Sequence, residues 1–336
     1  MMEREETRLR RSPFILKDAA LRDYLQDIAC KLAGEHCPDI RVYPVRTPFF
    51  NASMAPNGMM QVWSGLLLRV ENEAQLAAVM GHEIGHFMQR HLLDRLRDAK
   101  SRSSFGLFFA MFGVVGLLGQ LSMIAGMFGF SRDQERDADR IGLTLMRRAG
   151  YDPREASKIW ENLRAELAAN KKTDATAGSP MFATHPASDE RSKTLARLAE
   201  DASGGFVGEA EYASRFASLR FDLLDDEVKR GQYDETLALL DRLIARGSER
   251  PDLYYFRGEA HRLRDAEGDA EKSLADFNQA IALKGEPAQT HRALGYLNQK
   301  AGRAAPAREA FRRYLELVPN APDGAMLRTY LNEGTS

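Results

Sequence analysis

Cysteine occurs only twice in the 336 residues, at Cys30 and Cys37 in the stretch ACKLAGEHCPD. No second cysteine or histidine cluster of ligand spacing accompanies the pair, which argues against a metal site there. Two readings remain open: buried thiols, or a disulfide across a helix end, which implies an oxidising compartment. An excess of one charge is also missing. The 47 Lys and Arg against 48 Asp and Glu give a formal net charge of −1. No surplus of cations is available to neutralise phosphates, so no nucleic-acid partner is expected. An export signal is missing too. MMEREETRLRRSPFILKDAALRDYL mixes both charges and has no basic start followed by an apolar run of about 7–15 residues. Either the protein is cytoplasmic, or this numbering begins after a removed export segment.

What is present suits a globular chain with a sizeable core: 44% of residues are hydrophobic and 28% charged. The length allows two domains. Leu16, Ala20, Tyr24, Ile28 and Leu32 recur at helical spacing up to Gly34. IRVYPV, FFNASM and MMQVW read as short strands, with a turn at APNG between the last two. From Glu73 the apolar residues Leu76, Val79, Met80, Ile84, Phe87 and Met88 predict a helix. A second helix is expected after Ser131, a good N-cap, and ends at Gly150. A third begins near Pro153, and a fourth near Ser188.

The stretch GHEIGHFMQRH, residues 81–91, carries the chemistry. On a helix, residues four apart lie about 40° apart around the axis, so His82 and His86 project from one face toward a single zinc ion. Glu83 is then placed to take the proton of an attacking water. A catalytic zinc needs a third protein ligand, and the downstream candidates are His91, Glu135, Asp139 and His185. His91, nine residues from His82, lies about 180° around the helix and points away; it reads as surface or packing. In the ERDAD segment, Glu135 and Asp139 lie four apart. Glu135 is positioned to ligate while Asp139 reaches the outer nitrogen of a ligand histidine and fixes its tautomer. Alone, this segment would read as a solvated acidic face paired with Arg132, Arg136 and Arg140. After a histidine pair lacking its third ligand, the metal reading is the better one.

Phe105–Phe130 has no charged residue and exceeds the roughly 18 residues of a transmembrane candidate. Yet His86 precedes it and Glu135 follows it. A single crossing would put them on opposite sides of a bilayer, and the run is too short for two crossings. A shallow hairpin, an interfacial helix pair or a lid remains; association with a membrane surface without full spanning is favoured.

Beyond DASGGFVGEA the chain repeats. Leu294, Gly295, Ala307, Phe311 and Pro319 fall at the signature positions of a 34-residue helical repeat. An upstream copy matches through Tyr254, Gly258, Phe277 and Ala280, and a weaker one through Gly231 and Tyr233. This half resembles a tetratricopeptide repeat (TPR) domain, an α-solenoid that binds peptides or helices in a groove.

GHEIGH followed by SRDQERDADRIG and THPASDER resembles the membrane-associated zinc metallopeptidases of family M forty-eight. Members of the BepA-like branch also pair the protease domain with C-terminal tetratricopeptide repeats. The resemblance implies one zinc ion held by His82, His86 and Glu135, with Glu83 as base. It implies that His185 is either a fourth ligand in a resting state or a transition-state donor. Arg191 would be an oxyanion or structural partner. The strand Met59, Met60, Gln61, Val62 and Trp63 is either a structural strand or the edge on which substrate backbone pairs. The expected fold is α+β and mostly helical: a gluzincin-like domain with a small sheet at 1–200, a linker at 201–215, and repeats at 216–336. The expected function is endopeptidase quality control of misfolded or stalled envelope proteins. Its partners would be unfolded substrates, a protein recruited by the repeats and a membrane surface, and its place the periplasm. A chaperone-like adaptor with a latent protease site is the alternative.

Overall fold

The computed structural model describes residues 2–93, 129–170, 180–185 and 189–332. Of the apolar run, only Gly129 and Phe130 fall among them; the expectation about its membrane contact lies outside the described residues. Among the described residues, no helix is long and apolar enough to cross a membrane. The chain forms two compact units, Met1–Asp226 and Glu227–Ser336.

The first unit opens with α1 (Met2–Arg11) and α2 (Ala19–Ala33). Asp18 caps α2 by accepting from the Leu21 amide, and Leu21, Leu25, Ile28 and Leu32 face the core. A 3-10 turn, Gly34–Asp39, follows, and Cys30 is disulfide-bonded to Cys37 across this helix end. Three strands come next: β1 (Arg41–Val45), β2 (Ala52–Met54) and β3 (Met59–Trp63). Their order is β1-β3-β2, with β1 parallel and β2 antiparallel to β3. Every residue of β3 is buried. Gly58 turns β2 into β3 at φ 84, where a Cβ would sit 1.8 Å from the Asp39 carbonyl oxygen, so only glycine fits.

After α3 (Ser64–Arg69), α4 (Glu73–Met88) crosses the middle of the core, and every residue from Glu73 to His86 is buried. Asn72 caps it, accepting from the Gln75 amide. Its partner is α5 (Arg132–Arg148), started by a reciprocal capping box between Ser131 and Gln134. Small residues let the two backbones approach. A Cβ on Gly85 would lie 2.9 Å from the Ala138 carbonyl oxygen, and one on Gly142 3.0 Å from the His82 amide nitrogen. α6 (Glu155–Ala169), α7 (Pro180–Thr184) and α8 (Asp189–Leu198) complete the wall around this pair. A buried ion pair, Arg69 Nε to Glu166 Oε2 at 2.8 Å, ties α3 to α6.

Residues 201–215, expected as a linker, are part of this unit instead. The Phe206 amide donates to the Gly150 carbonyl at 2.8 Å and the Ala74 amide to the Val207 carbonyl at 3.0 Å. On α9 (Glu209–Phe216), Tyr212 and Phe216 join the main core. The polar, glycine-bearing composition reflected tight turns rather than a free tether: Gly204 and Gly208 take φ 122 and 71.

The boundary between the units falls within α10 (Arg220–Lys229), and the described residues beyond it are helical: α11 (Tyr233–Arg246), α12 (Pro251–Arg264), α13 (Asp269–Leu283), α14 (Gln289–Lys300), α15 (Ala304–Leu317) and α16 (Gly324–Asn332). One packing device occurs twice. Gly258 of α12 admits the Phe277 ring of α13, and Gly295 of α14 admits the Phe311 ring of α15; a Cβ at either glycine would collide with the ring at 2.7 Å and 2.4 Å.

Candidate metal centre

α4 presents His82 and His86 one turn apart, and α5 brings up Glu135 where the glycine contacts set the two helices together. His185 directly follows α7, and its amide bonds the Met181 carbonyl at 2.8 Å. One donor atom from each of these four side chains lies within 4.8 Å of all the others, and all four residues are buried. His82 Nε2 is 3.1 Å from His86 Nε2, 3.2 Å from His185 Nδ1 and 3.5 Å from Glu135 Oε2. Glu135 Oε1 is 2.9 Å from His185 Nδ1 and 3.4 Å from His86 Nε2. Ligands about 2.0–2.1 Å from a tetrahedral zinc stand roughly 3.3 Å from one another, so these separations fit one zinc ion. Glu83 Oε1 and Glu135 Oε2 are buried and make no hydrogen bond; their nearest charged neighbours are His185 Nε2 at 3.5 Å and Arg191 Nη1 at 3.3 Å. Orphaned carboxylate oxygens are costly unless a cation meets them.

Around the four donors, further side chains hold them in place. His82 Nδ1 lies 2.8 Å from both Asp139 Oδ1 and Arg191 Nη2. Its Nε2 faces the cluster, so Nδ1 carries the ring proton and donates to Asp139. Arg191, on α8, donates to the same carboxylate, lies 3.3 Å from Glu135 Oε2, and stacks on the Trp160 ring at 3.9 Å. Phe130 lies against the His86 ring, centroids 3.9 Å apart.

His91 is a packing residue, one of the two expected roles, but it does not point away from the site. It is buried, with Nδ1 3.0 Å from His86 Nδ1. The extrapolated rotation assumed an unbroken helix, but α4 ends at Met88 and Arg90 takes φ 55. This left-handed residue swings His91 back onto its own helix end. The proposed substrate edge needs correcting as well. Met59–Trp63 is the central strand, paired on both sides, and cannot add a further strand. Apolar residues on both faces, Met60 and Val62 on one and Met59 and Trp63 around Gln61 on the other, are the signal for a central position. The edge strand beside the donor cluster is β2, whose Met54 amide donates to the Glu83 carboxylate.

Burial pushes the Glu83 carboxyl up to about 7, against the pull of His185. Burial would raise Glu135 too, yet the charge of and hydrogen bond with His185, helped by His86 and His82, hold it well below the usual carboxylate range. Asp139 is likewise held low against burial by Arg191 and His82. Burial drives His86 well below the ordinary imidazole value. Ligation requires that neutral form. A cavity of about 420 Å³ opens beside these groups, lined by Ser53, Met54, Glu83, Phe87, Phe130 and His185 among others.

A helix with paired histidines, a carboxylate from a second helix and a flanking three-stranded sheet define the zinc metallopeptidase class. Residues 16–199 match the model described as Peptidase family M48, and the chain belongs to that family. The chain is similar to the mitochondrial metalloendopeptidase OMA1 of Arabidopsis thaliana, 35% identical over 174 residues, 51% of this chain and 34% of the relative. The corresponding protein of Schizosaccharomyces pombe is 35% identical over 158 residues, 46% of this chain and 45% of the relative. The beta-barrel assembly-enhancing protease of Escherichia coli (strain K12) is 26% identical over 269 residues, 70% of this chain and 53% of the relative. The chain thus spans about a third to a half of the length of these curated relatives. The family's metal is zinc, and the donor set suits it.

Proposed function

We propose that this protein is a zinc-dependent endopeptidase acting on misfolded or stalled envelope proteins, with His82, His86 and Glu135 holding the metal. The observation that carries the reading is the meeting of these three side chains with His185 at one point, beside the buried Glu83 carboxylate, whose Oε1 makes no hydrogen bond and lies 3.5 Å from His185 Nε2. Zinc supplies Lewis-acid polarisation of a peptide carbonyl and a more acidic water. Glu83 takes the proton of the attacking water and returns it to the departing amine. Arg191 and Asp139 keep His82 in its ligand tautomer. The outer edge of β2 pairs with no strand among the described residues. In its ladder, the Ala55 amide donates to Met59 and the Asn51 carbonyl accepts from Trp63, so Ala52 and Met54 turn their main-chain groups outward; with the Met54 amide taken by Glu83, the Ala52 main chain and the Met54 carbonyl are what an extended substrate can pair with.

The relatives named as assembly-enhancing proteases support a role in envelope protein quality control, and the Cys30–Cys37 disulfide supports an oxidising compartment, for which the periplasm is our reading. The glycine-to-phenylalanine packing in consecutive helix pairs supports tetratricopeptide repeats that recruit a substrate or partner protein. Glu83→Gln is the test. Hydrolysis of an unfolded protein should fall about 10²–10⁴-fold with zinc content unchanged; undiminished cleavage would sink the mechanism. A second reading, the adaptor with a latent site, draws on His185, which completes a four-donor set and leaves no open position. Under it, His185→Ala raises peptidase activity, and cellular function survives Glu83→Gln.

A further inference from the structure

We infer that His91 is a positioning residue for zinc: it accepts the outer proton of the ligand His86 and so fixes that ring's tautomer and angle. The inference rests on the metal-centre reading given above. His86 Nε2 is the nitrogen in the donor cluster, 3.1 Å from His82 Nε2 and 3.4 Å from Glu135 Oε1. Its lone pair is committed there. A neutral imidazole carries one proton, which then sits on Nδ1. The 3.0 Å contact between His86 Nδ1 and His91 Nδ1 therefore runs one way, from His86 to His91. His91 must present a bare Nδ1 and keep its own proton on Nε2.

The two ligand histidines of α4 are thus held by different chemistry. His82 donates to Asp139, a carboxylate clamped by Arg191. His86 donates to an uncharged imidazole. Both arrangements block the wrong tautomer, which would turn a proton rather than a lone pair toward the metal. Phe130, stacked on the face of the His86 ring at 23° between planes, leaves the ring little freedom to rotate away.

The backbone explains how a residue five positions on reaches back. The Gln89 amide bonds the Gly85 carbonyl at 3.1 Å and the Arg90 amide the Phe87 carbonyl at 3.0 Å, closing the last turn of α4. Arg90 then takes φ 55, and the chain reverses. A β-branched residue is strained in this conformation, whereas glycine adopts it freely.

The test compares the full-length parent with His91→Phe, which keeps the ring but removes the acceptor, and with His91→Gln, whose carbonyl oxygen restores one. Zinc affinity is measured by chelator competition on the metal-free chain at fixed pH. His91→Phe should weaken zinc binding about 10–100-fold, with His91→Gln recovering most of it. Independently, nitrogen-15 NMR of the zinc-loaded parent, with labelled histidine, should show a protonated Nδ1 on His86 and a bare Nδ1 on His91. This measurement stands even if a variant fails to fold. Unchanged affinity in His91→Phe, equal losses in both variants, or a protonated His91 Nδ1 would each overturn the inference. A parent chain that takes up no zinc overturns the metal centre itself, and this inference with it.

Discussion

Arg191 grips Asp139 through two bonds, Nε to Oδ2 at 2.9 Å and Nη2 to Oδ1 at 2.6 Å, and both side chains are buried. Removing one member of such a pair leaves the other charge stranded in a medium that solvates it poorly. Arg191→Met should therefore cost about 3–5 kcal/mol of unfolding free energy and weaken zinc retention, because Asp139 no longer aligns His82. Arg191→Lys keeps the charge but loses the fork and the stack on Trp160, and should fall between. Urea unfolding of the three proteins decides this. A cost for Arg191→Met near zero would show that the pair does not hold the site.

The contact of Gly85 with Ala138 makes a sharper link between packing and metal. Adding a single methyl group by Gly85→Ala puts carbon 2.9 Å from a backbone oxygen, which cannot swing aside as a side chain would. Helices α4 and α5 must move apart, carrying Glu135 away from His82 and His86. The expected cost is about 1–3 kcal/mol, despite alanine's better helix propensity. Zinc uptake should fall in parallel; a more stable variant with normal zinc affinity would contradict this account.

The Cys30–Cys37 bridge closes a short loop, with a sequence separation of 7. Restricting the unfolded chain by so small a ring stabilises by about 2–3 kcal/mol in the chain-entropy model. Thermal unfolding should shift down when dithiothreitol is added to the parent. The Cys30→Ala, Cys37→Ala double variant should already melt lower and should not respond to reductant.

Acid should weaken the N-terminal clasp. The Arg41 guanidinium, joined by Tyr43 and Asn57, hydrogen-bonds Glu6 and holds its carboxyl below the usual range against the effect of burial. Because the folded-state pKa is depressed, this contribution is complete above the unfolded value of about 4.3 and is lost as pH falls through the folded one. Glu6→Gln should be less stable than the parent at neutral pH and lose less on acidification. Denaturant midpoints between neutral pH and about pH 3 would reveal it; parallel curves for the two proteins would refute the linkage.

Much of this molecule is legible without coordinates because its signals are local. His82, Glu83 and His86 lie within one helical turn and a half, so periodicity alone puts the two histidines on one face. Ser131 and Gln134 announce the start of α5 through a capping box written in four consecutive residues. His91 was illegible for the opposite reason. Helical rotation locates it only if the helix continues, and nothing in FMQRH marks Arg90 as left-handed. Trp160 and Phe130, which flank Arg191 and His86, lie far from their partners along the chain, and no spacing rule joins them. The central place of Met59–Trp63 was hinted at by its apolar faces. Its neighbours, and hence the identity of the edge, came only from strand order.

The sequence by itself determined the chemistry offered to the metal: two imidazoles at helical spacing, a carboxylate beside them, and acidic groups four apart on a second capped helix. Short-range backbone geometry converts those spacings directly into faces. Only the tertiary structure decided which donors meet and which merely hold them. That depends on how closely α4 and α5 approach across Gly85 and Gly142, and on chain reversals at Arg90 and Gly58. Such contacts are set by the filling of one shared core, which no local stretch of residues encodes alone.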